Sequence, residues 1–286
     1  MANLKEIRNR ISSVKSTMQI TSAMKMVSAA KLKKAQDAIT AMRPYANKLT
    51  ELLQSLSATL EGDSGSKFAT QREVKNVLVV AITSNRGLCG AFNSNIIKES
   101  DRLVKEEYKN QNVSIVTIGK KGNDILSKTL DVIENNNEVY DDLTFDNVAT
   151  IAEMLMDKYV SGEFDRIDLV YNKFKNAATQ IVMTEQFLPI VPVTSDSNVN
   201  LDYIFEPSKI EIVEQLIPKS LKTQLYKAIR DSFASEHGAR MTAMHKATDN
   251  ATELRDQLTL SYNKARQAAI TNEILEIVGG AEALNN

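Results

Sequence analysis

The chain has 286 residues, a quarter of them charged and 43% hydrophobic, with a net charge of −1. This is ordinary globular composition, and the near-neutral balance excludes a bulk electrostatic preference for nucleic acid. The single cysteine, Cys89, excludes an internal disulfide and fits a reducing compartment, and no stretch approaches the ~18 apolar residues that a membrane-spanning helix needs.

The first element in the chain is a helix-forming tract. From Ala2 to about Leu60 it holds one proline, Pro44, and no glycine. Met1-Ala-Asn-Leu-Lys-Glu6 is polar from the outset, so no apolar export signal is expected there. Alternating steps of three and four residues give a seam of Leu4, Ile7, Ile11, Val14, Met18, Thr21, Lys25, Ser28, Leu32, Ala35, Ile39, Met42, Ala46, Leu49, Leu53, Leu56 and Leu60. Such a heptad predicts a left-handed coiled coil, broken in character only at Thr21, Lys25 and Ser28. Around that break Ile20, Ala23, Met24, Met26, Val27, Ala29 and Ala30 spread apolar surface about the helix. One helical partner cannot cover all of it, so burial on several sides is expected. Residues 1–50 also carry ten Lys/Arg against Glu6 and Asp37, a basic excess suited to an acidic partner surface.

After a loop at 61–73, Val77–Ile82 is a continuous β-branched run of the kind found in buried parallel strands. A helix is predicted at Asn95–Tyr108, a strand at Val113–Ile118, a turn at Gly119-Lys-Lys-Gly122, a helix at Val148–Val160, and strands at Ile167–Tyr171 and Gln180–Thr184, the last antiparallel at an edge. Strands alternating with helices imply an α/β layer with crossover connections. Ile210–Ile217 reads as a short helix stopped by Pro218. From Lys219 to Ile277 a second long tract follows, with no proline and only Gly238. Its predicted stripe is Tyr226, Ile229, Phe233, Ala247, Ala251, Leu254, Leu258, Tyr262, Ala265 and Ala269. The expected architecture is α/β with long terminal helices. An antiparallel left-handed coiled coil of the N- and C-terminal helices (1–60 and 208–286) carries a central Rossmann-like α/β domain (74–206).

Catalytic chemistry is hard to find. No glycine-rich loop ends in Gly-Lys-Ser/Thr, so no self-contained nucleotide site is visible. Gly119-Lys-Lys-Gly122 follows a strand and could touch phosphate, but a plain turn explains it better. His237 and His245 lie eight residues apart on one helix with no adjoining cysteine or carboxylate cluster, and are expected to face solvent or a partner. Cys89, in Ser84-Asn-Arg-Gly-Leu-Cys-Gly-Ala-Phe-Asn93, could sit on a nucleophile elbow, although Gly87 and Gly90 in a tight turn account for the same loop. No catalytic residue, cofactor or metal site is expected.

Three segments carry a family resemblance: Ile20-Thr-Ser-Ala-Met-Lys-Met-Val-Ser-Ala-Ala-Lys-Leu32, the Ser84–Asn93 loop, and Tyr262-Asn-Lys-Ala-Arg-Gln-Ala-Ala-Ile-Thr-Asn-Glu-Ile-Leu-Glu-Ile-Val-Gly-Gly-Ala281. Together they resemble the gamma subunits of bacterial rotary F-type ATP synthases over essentially the whole chain. The last segment matches that family's signature at Ile270, Thr271, Glu273, Glu276, Gly280 and Ala281, whereas Asn85 stands where family members often have aspartate. The resemblance implies a central rotor shaft without catalysis of its own. It would couple rotation of a membrane c ring to the catalytic beta sites of a proton-translocating ATP synthase, at the cytoplasmic face of the bacterial plasma membrane. The implied partners are a ring of alpha and beta subunits, the epsilon subunit and the c ring, with no nucleic acid. It further implies that Arg266 and Gln267 contact a beta-subunit loop and that Thr271 and Glu273 take part in coupling. Met24 and Lys25 would lie near an acidic lever of beta, and Glu206, in Phe205-Glu-Pro207, would belong to the base facing the c ring. A non-rotary coiled-coil scaffold carrying an α/β module, and a small-molecule enzyme built on that module, are the alternatives.

Overall fold

A computed structural model describes residues 4–57, 67–68, 70–190 and 209–284. Glu206 lies outside the described residues, as does most of the predicted loop at 61–73. The chain divides into two compact units, Met1–Ser28 with Met241–Asn286, and Ala29–Arg240.

In the first unit, the beginning of helix α1 (Leu4–Ser57) runs beside the end of helix α5 (Lys209–Leu284). Thr21 stands opposite Thr248, and Met18 opposite Thr252 and Arg255, so the pairing is antiparallel. Along α1 the predicted seam holds from Leu4 to Leu49, polar members included, while the side chains of Leu53, Leu56 and Leu60 lie outside those described. Ile7, Thr21 and Ser28 are buried, while Leu4, Ile11, Val14, Met18 and Lys25 are half-buried. The facing seam of α5 is Met244, Thr248, Ala251, Arg255, Leu258, Tyr262, Ala265 and Ala269. That corrects two positions of the predicted stripe, the first being Ala247, where steps of four and three from Met244 place Thr248 in the seam. Leu254 is 46% exposed and Arg255 takes its place, because strict steps of four and three from Ala251 reach 255 and then 258.

The second unit is built on a five-stranded sheet. Its strands are β1 (Asn76–Ile82), β2 (Asn112–Ile118), β3 (Val132–Asn135), β4 (Arg166–Phe174) and β5 (Gln180–Leu188), in the order β3-β2-β1-β4-β5. The first four are parallel and β5 is antiparallel to β4. Helices α2 (Phe92–Arg102), α3 (Lys120–Leu126) and α4 (Phe145–Val160) make the crossovers. β1 is apolar throughout because both of its faces are covered. Leu78, Val80 and Ile82 pack with Val148, Leu155 and Tyr159 of α4 and with Leu221, Leu225 and Ile229 of α5. Val77, Val79 and Ala81 pack with Ile96 of α2 and with Leu103, Tyr108 and Leu126.

Three elements differ from the sequence expectation. β3 was not predicted, since Val-Ile-Glu-Asn is too short to show a period. The predicted turn at 119–122 opens helix α3. Gly119, at φ 112°, lies so close to β1 that a Cβ there would meet the Thr83 carbonyl oxygen at 2.3 Å. Ile210–Ile217 is not a separate helix, because α5 continues through Pro218, with Ile217 and Leu221 on the sheet.

Candidate functional site

In doubly wound sheets the strand order reverses beside the first strand, and the crevice at the carboxyl ends there is the usual ligand site. Here the reversal lies between β1 and β4, and α5 fills that position. Ser235 Oγ donates to the Asn172 carbonyl of β4 (2.9 Å), and Asn172 Nδ2 donates to the Phe92 carbonyl at the start of α2 (3.1 Å). Gly238 allows the approach, since a Cβ would sit 3.2 Å from Ala177 Cα. The helix N-terminus that might have cradled phosphate is also taken. Lys120 N donates to Asn85 Oδ1 (3.0 Å), Lys121 N to the Ser84 carbonyl (3.0 Å) and Gly122 N to Thr83 Oγ1 (2.9 Å).

The Ser84–Asn93 loop lies against α5. Asn93 closes it from within, accepting from Ser84 N (2.9 Å) and donating through Nδ2 to Ser84 Oγ (2.8 Å) and Cys89 Sγ (3.2 Å). Cys89 is buried, and burial pushes its thiol above the ordinary value against the pull of Ser84 and of the Arg240 charge. That is the wrong direction for a nucleophile. From α5, Arg240 Nη2 donates to the Arg86 carbonyl (2.9 Å) and Nε to the Gly87 carbonyl (3.2 Å), while Nη1 donates to Glu236 Oε1 (2.7 Å). Burial raises the Glu236 carboxyl above its usual range, opposed by Arg240, Lys31 and Arg86.

His237 corrects the sequence expectation of a solvent-facing or partner-facing histidine. It is buried, edge-on to Phe233 at 4.5 Å between ring centroids. Burial first, and then the charges of Arg240 and Lys31, hold its imidazole down to about 3, so it stays neutral. Its Nε2 finds no hydrogen-bond partner. His245, in contrast, is exposed and 3.2 Å from Asp249.

The residues assigned by resemblance lie mostly on the first unit. Met24 and Lys25 are half-buried on α1. Arg266, Gln267, Thr271 and Glu273 are exposed on α5, where Thr271 Oγ1 donates only to its own helix, at the Gln267 carbonyl (2.9 Å). These form two groups rather than one pocket. Arg266 lies about five helical turns beyond Thr248, the residue opposite Thr21. Around each group the apolar surface is uncovered. Ile20, Met26 and Val27 are 60%, 64% and 57% exposed, and Ile270, Ile274, Leu275, Ile277 and Val278 are exposed near the end of α5. Among the described residues, nothing covers residues 20–30 on all sides, in keeping with the expectation that one helical partner cannot. No described helix is long and apolar enough to cross a membrane.

Two long helices carrying uncovered apolar surface, and an α/β body whose usual ligand crevice is filled by one of them, are the features of a structural subunit that works through partners. The comparisons give the family. Residues 3–284 match the family model described as ATP synthase. The ATP synthase gamma chain of Flavobacterium psychrophilum is 78% identical over 285 residues, covering 99% of both chains. A chain of the Euglena gracilis mitochondrial ATP synthase, in an assembly of OSCP, F1 and c ring, superposes with a TM-score of 0.72 at 23% identity, covering 98% of this chain and 94% of that one. A chain of the Tetrahymena thermophila central stalk and c ring gives a TM-score of 0.59 at 27% identity, covering 80% of this chain and 99% of that one. The chain belongs to the ATP synthase gamma chain family, whose members are the non-catalytic central stalk of the rotary enzyme.

Proposed function

We propose that this chain is the rotor shaft that couples a turning c ring in the membrane to the catalytic beta subunits. Its free helix ends would stand inside the alpha–beta ring, and its body would carry the epsilon subunit and rest on the c ring. The observation that carries this reading is the exposed apolar surface around Ile20–Val27 and Ile270–Val278, in a chain with a well-filled core elsewhere. Exposed apolar surface of that kind marks a surface meant for another protein. Arg266 and Gln267 are the proposed beta-loop contacts, since both project from the helix free of seam packing. Met24 and Lys25 are proposed to meet an acidic element of beta, in keeping with the basic excess of the first 50 residues. Thr271 and Glu273 are proposed coupling positions, and Glu206 a base position toward the c ring. The chain would sit at the cytoplasmic face of the bacterial plasma membrane, held there through its partners.

Co-expression with alpha and beta subunits tests the reading. The chain should purify as one member of a ring-shaped complex with ATPase activity, and recovery of the chain alone beside an intact ring would overturn it.

A further inference from the structure

The Ser84–Asn93 loop has a feature that its own contacts do not account for. Leu88 is a non-glycine residue at φ 61° whose side chain is 64% exposed. The left-handed conformation is strained for a branched side chain, and burial returns nothing here, so the surroundings must impose it. The two carbonyls immediately before it, of Arg86 and Gly87, are the ones held by Arg240. The same guanidinium is held by Glu236 one turn earlier on α5. Both charged side chains are more than nine-tenths buried, and a buried pair of this kind contributes geometric definition more dependably than stability.

Resting on the rotor reading above, we propose that Arg240 is the positioning residue that rivets this loop to α5, so that the exposed Arg86–Leu88 tip moves with the helix as a rigid projection. A loop held only by its own Ser84–Asn93 contacts would yield when pressed against a stationary surface. A planar guanidinium gripping two successive carbonyls, itself fixed by a carboxylate on the same helix, resists displacement along the loop and across it. Lysine cannot reproduce the grip, because a single ammonium does not span both carbonyls and Glu236 in fixed geometry.

Cys89 is a built-in reporter, since it is buried two residues beyond Gly87 and is the chain's only thiol. In the full-length chain, alkylation by N-ethylmaleimide should be slow in the wild type. It should be about tenfold or more faster in Glu236→Gln/Arg240→Met, which removes the pair without leaving a buried charge. Arg240→Lys should fall between the two, and it serves if the double variant does not fold. Unchanged alkylation in a variant with native circular dichroism would overturn the rivet. In the assembled complex, the same variants should synthesise less ATP per proton passed while keeping ATP hydrolysis. Faster alkylation with fully normal coupling would overturn the claim that rigidity of the tip matters. The rotor reading fails separately, if the wild-type complex shows no coupling to this chain while thiol protection still depends on Arg240.

Discussion

The strands of the body and the ends of the two long helices spend their apolar residues in opposite ways. Val77–Ile82 are all fully buried, each between a strand neighbour and a covering helix. Ile270, Ile274, Leu275, Ile277 and Val278 are as apolar and are open, with Ile277 71% exposed. The first set answers to packing inside the chain. The second is left uncovered among the described residues, and the rotor reading assigns it to a partner's surface. Function here is legible as the part of the sequence that the fold does not use.

Substitutions should separate the two regions. Leu78→Ala, in the centre of the sheet, should cost about 2–5 kcal/mol, read as a lower midpoint in denaturant unfolding of the chain. A cost below about 1 kcal/mol would mean that the body core is not where stability resides.

The next effect is a pH dependence that belongs to the body. His237 is held at about 3 when folded against 6.5 when unfolded. As pH falls below about 6.5 the unfolded chain takes up a proton that the folded chain refuses, so stability falls on acidification. Between pH 7 and pH 5 the loss from this group is about 2 kcal/mol. The raised Glu236 carboxyl works the other way, since its contribution is present at low pH and is lost as pH rises through its folded value. Comparing the wild type with His237→Phe isolates the histidine. Parallel pH profiles of the two would contradict its burial as a neutral ring.

The fold was largely legible in the sequence because its strongest patterns are long. The heptad of α1 ran true through Thr21, Lys25 and Ser28, and the β1 run announced a strand buried on both faces. What stayed hidden was written in residues that carry no pattern. The α5 segment from Leu221 to Arg240 is mostly buried on more than one side, yet it is lined by Thr223, Asp231, Ser232, Ser235, Glu236, His237 and Arg240. Polar side chains normally signal solvent, and here they serve a sheet edge and a loop instead. Conversely, the apolar spread at 20–30 is legible in the sequence, and among the described residues Ile20, Met26 and Val27 stay exposed. Arg240 left no signal that distance in sequence could reveal, since the loop carbonyls it holds lie some 150 residues away.

A smaller effect sits in the seam. Thr21 Oγ1 is 2.8 Å from Thr248 Oγ1, and each hydroxyl can also donate to its own helix, at the Met18 carbonyl (3.1 Å) and the Met244 carbonyl (2.8 Å). Two protons therefore serve three contacts. Thr21→Val should cost about 1 kcal/mol, with the cost largely relieved when Thr248→Val is added. Strict additivity in thermal melting would show that the pair does not couple.

The smallest effect on the chain itself should come from its uncovered end. Ile274→Ser with Ile277→Ser should change stability by less than about 0.5 kcal/mol and yet sharply reduce recovery of the chain in complex with alpha and beta subunits. Loss of stability without loss of assembly would place these residues inside the chain's own packing. Arg266→Ala with Gln267→Ala should likewise leave melting unchanged while lowering coupled synthesis, by the loss of charge-assisted hydrogen bonds worth about 1.5–3 kcal/mol each.

If this chain is the rotor shaft, it turns relative to the alpha–beta ring. The direct measurement immobilises the alpha–beta ring on a surface, fixes a gold rod to an engineered cysteine on the outer face of α4, and records the rod during ATP hydrolysis in a Cys89→Ser background. The rod should rotate in one direction and stop when ATP is withdrawn. A rod that stays fixed while the tethered complexes hydrolyse ATP would contradict the rotor reading.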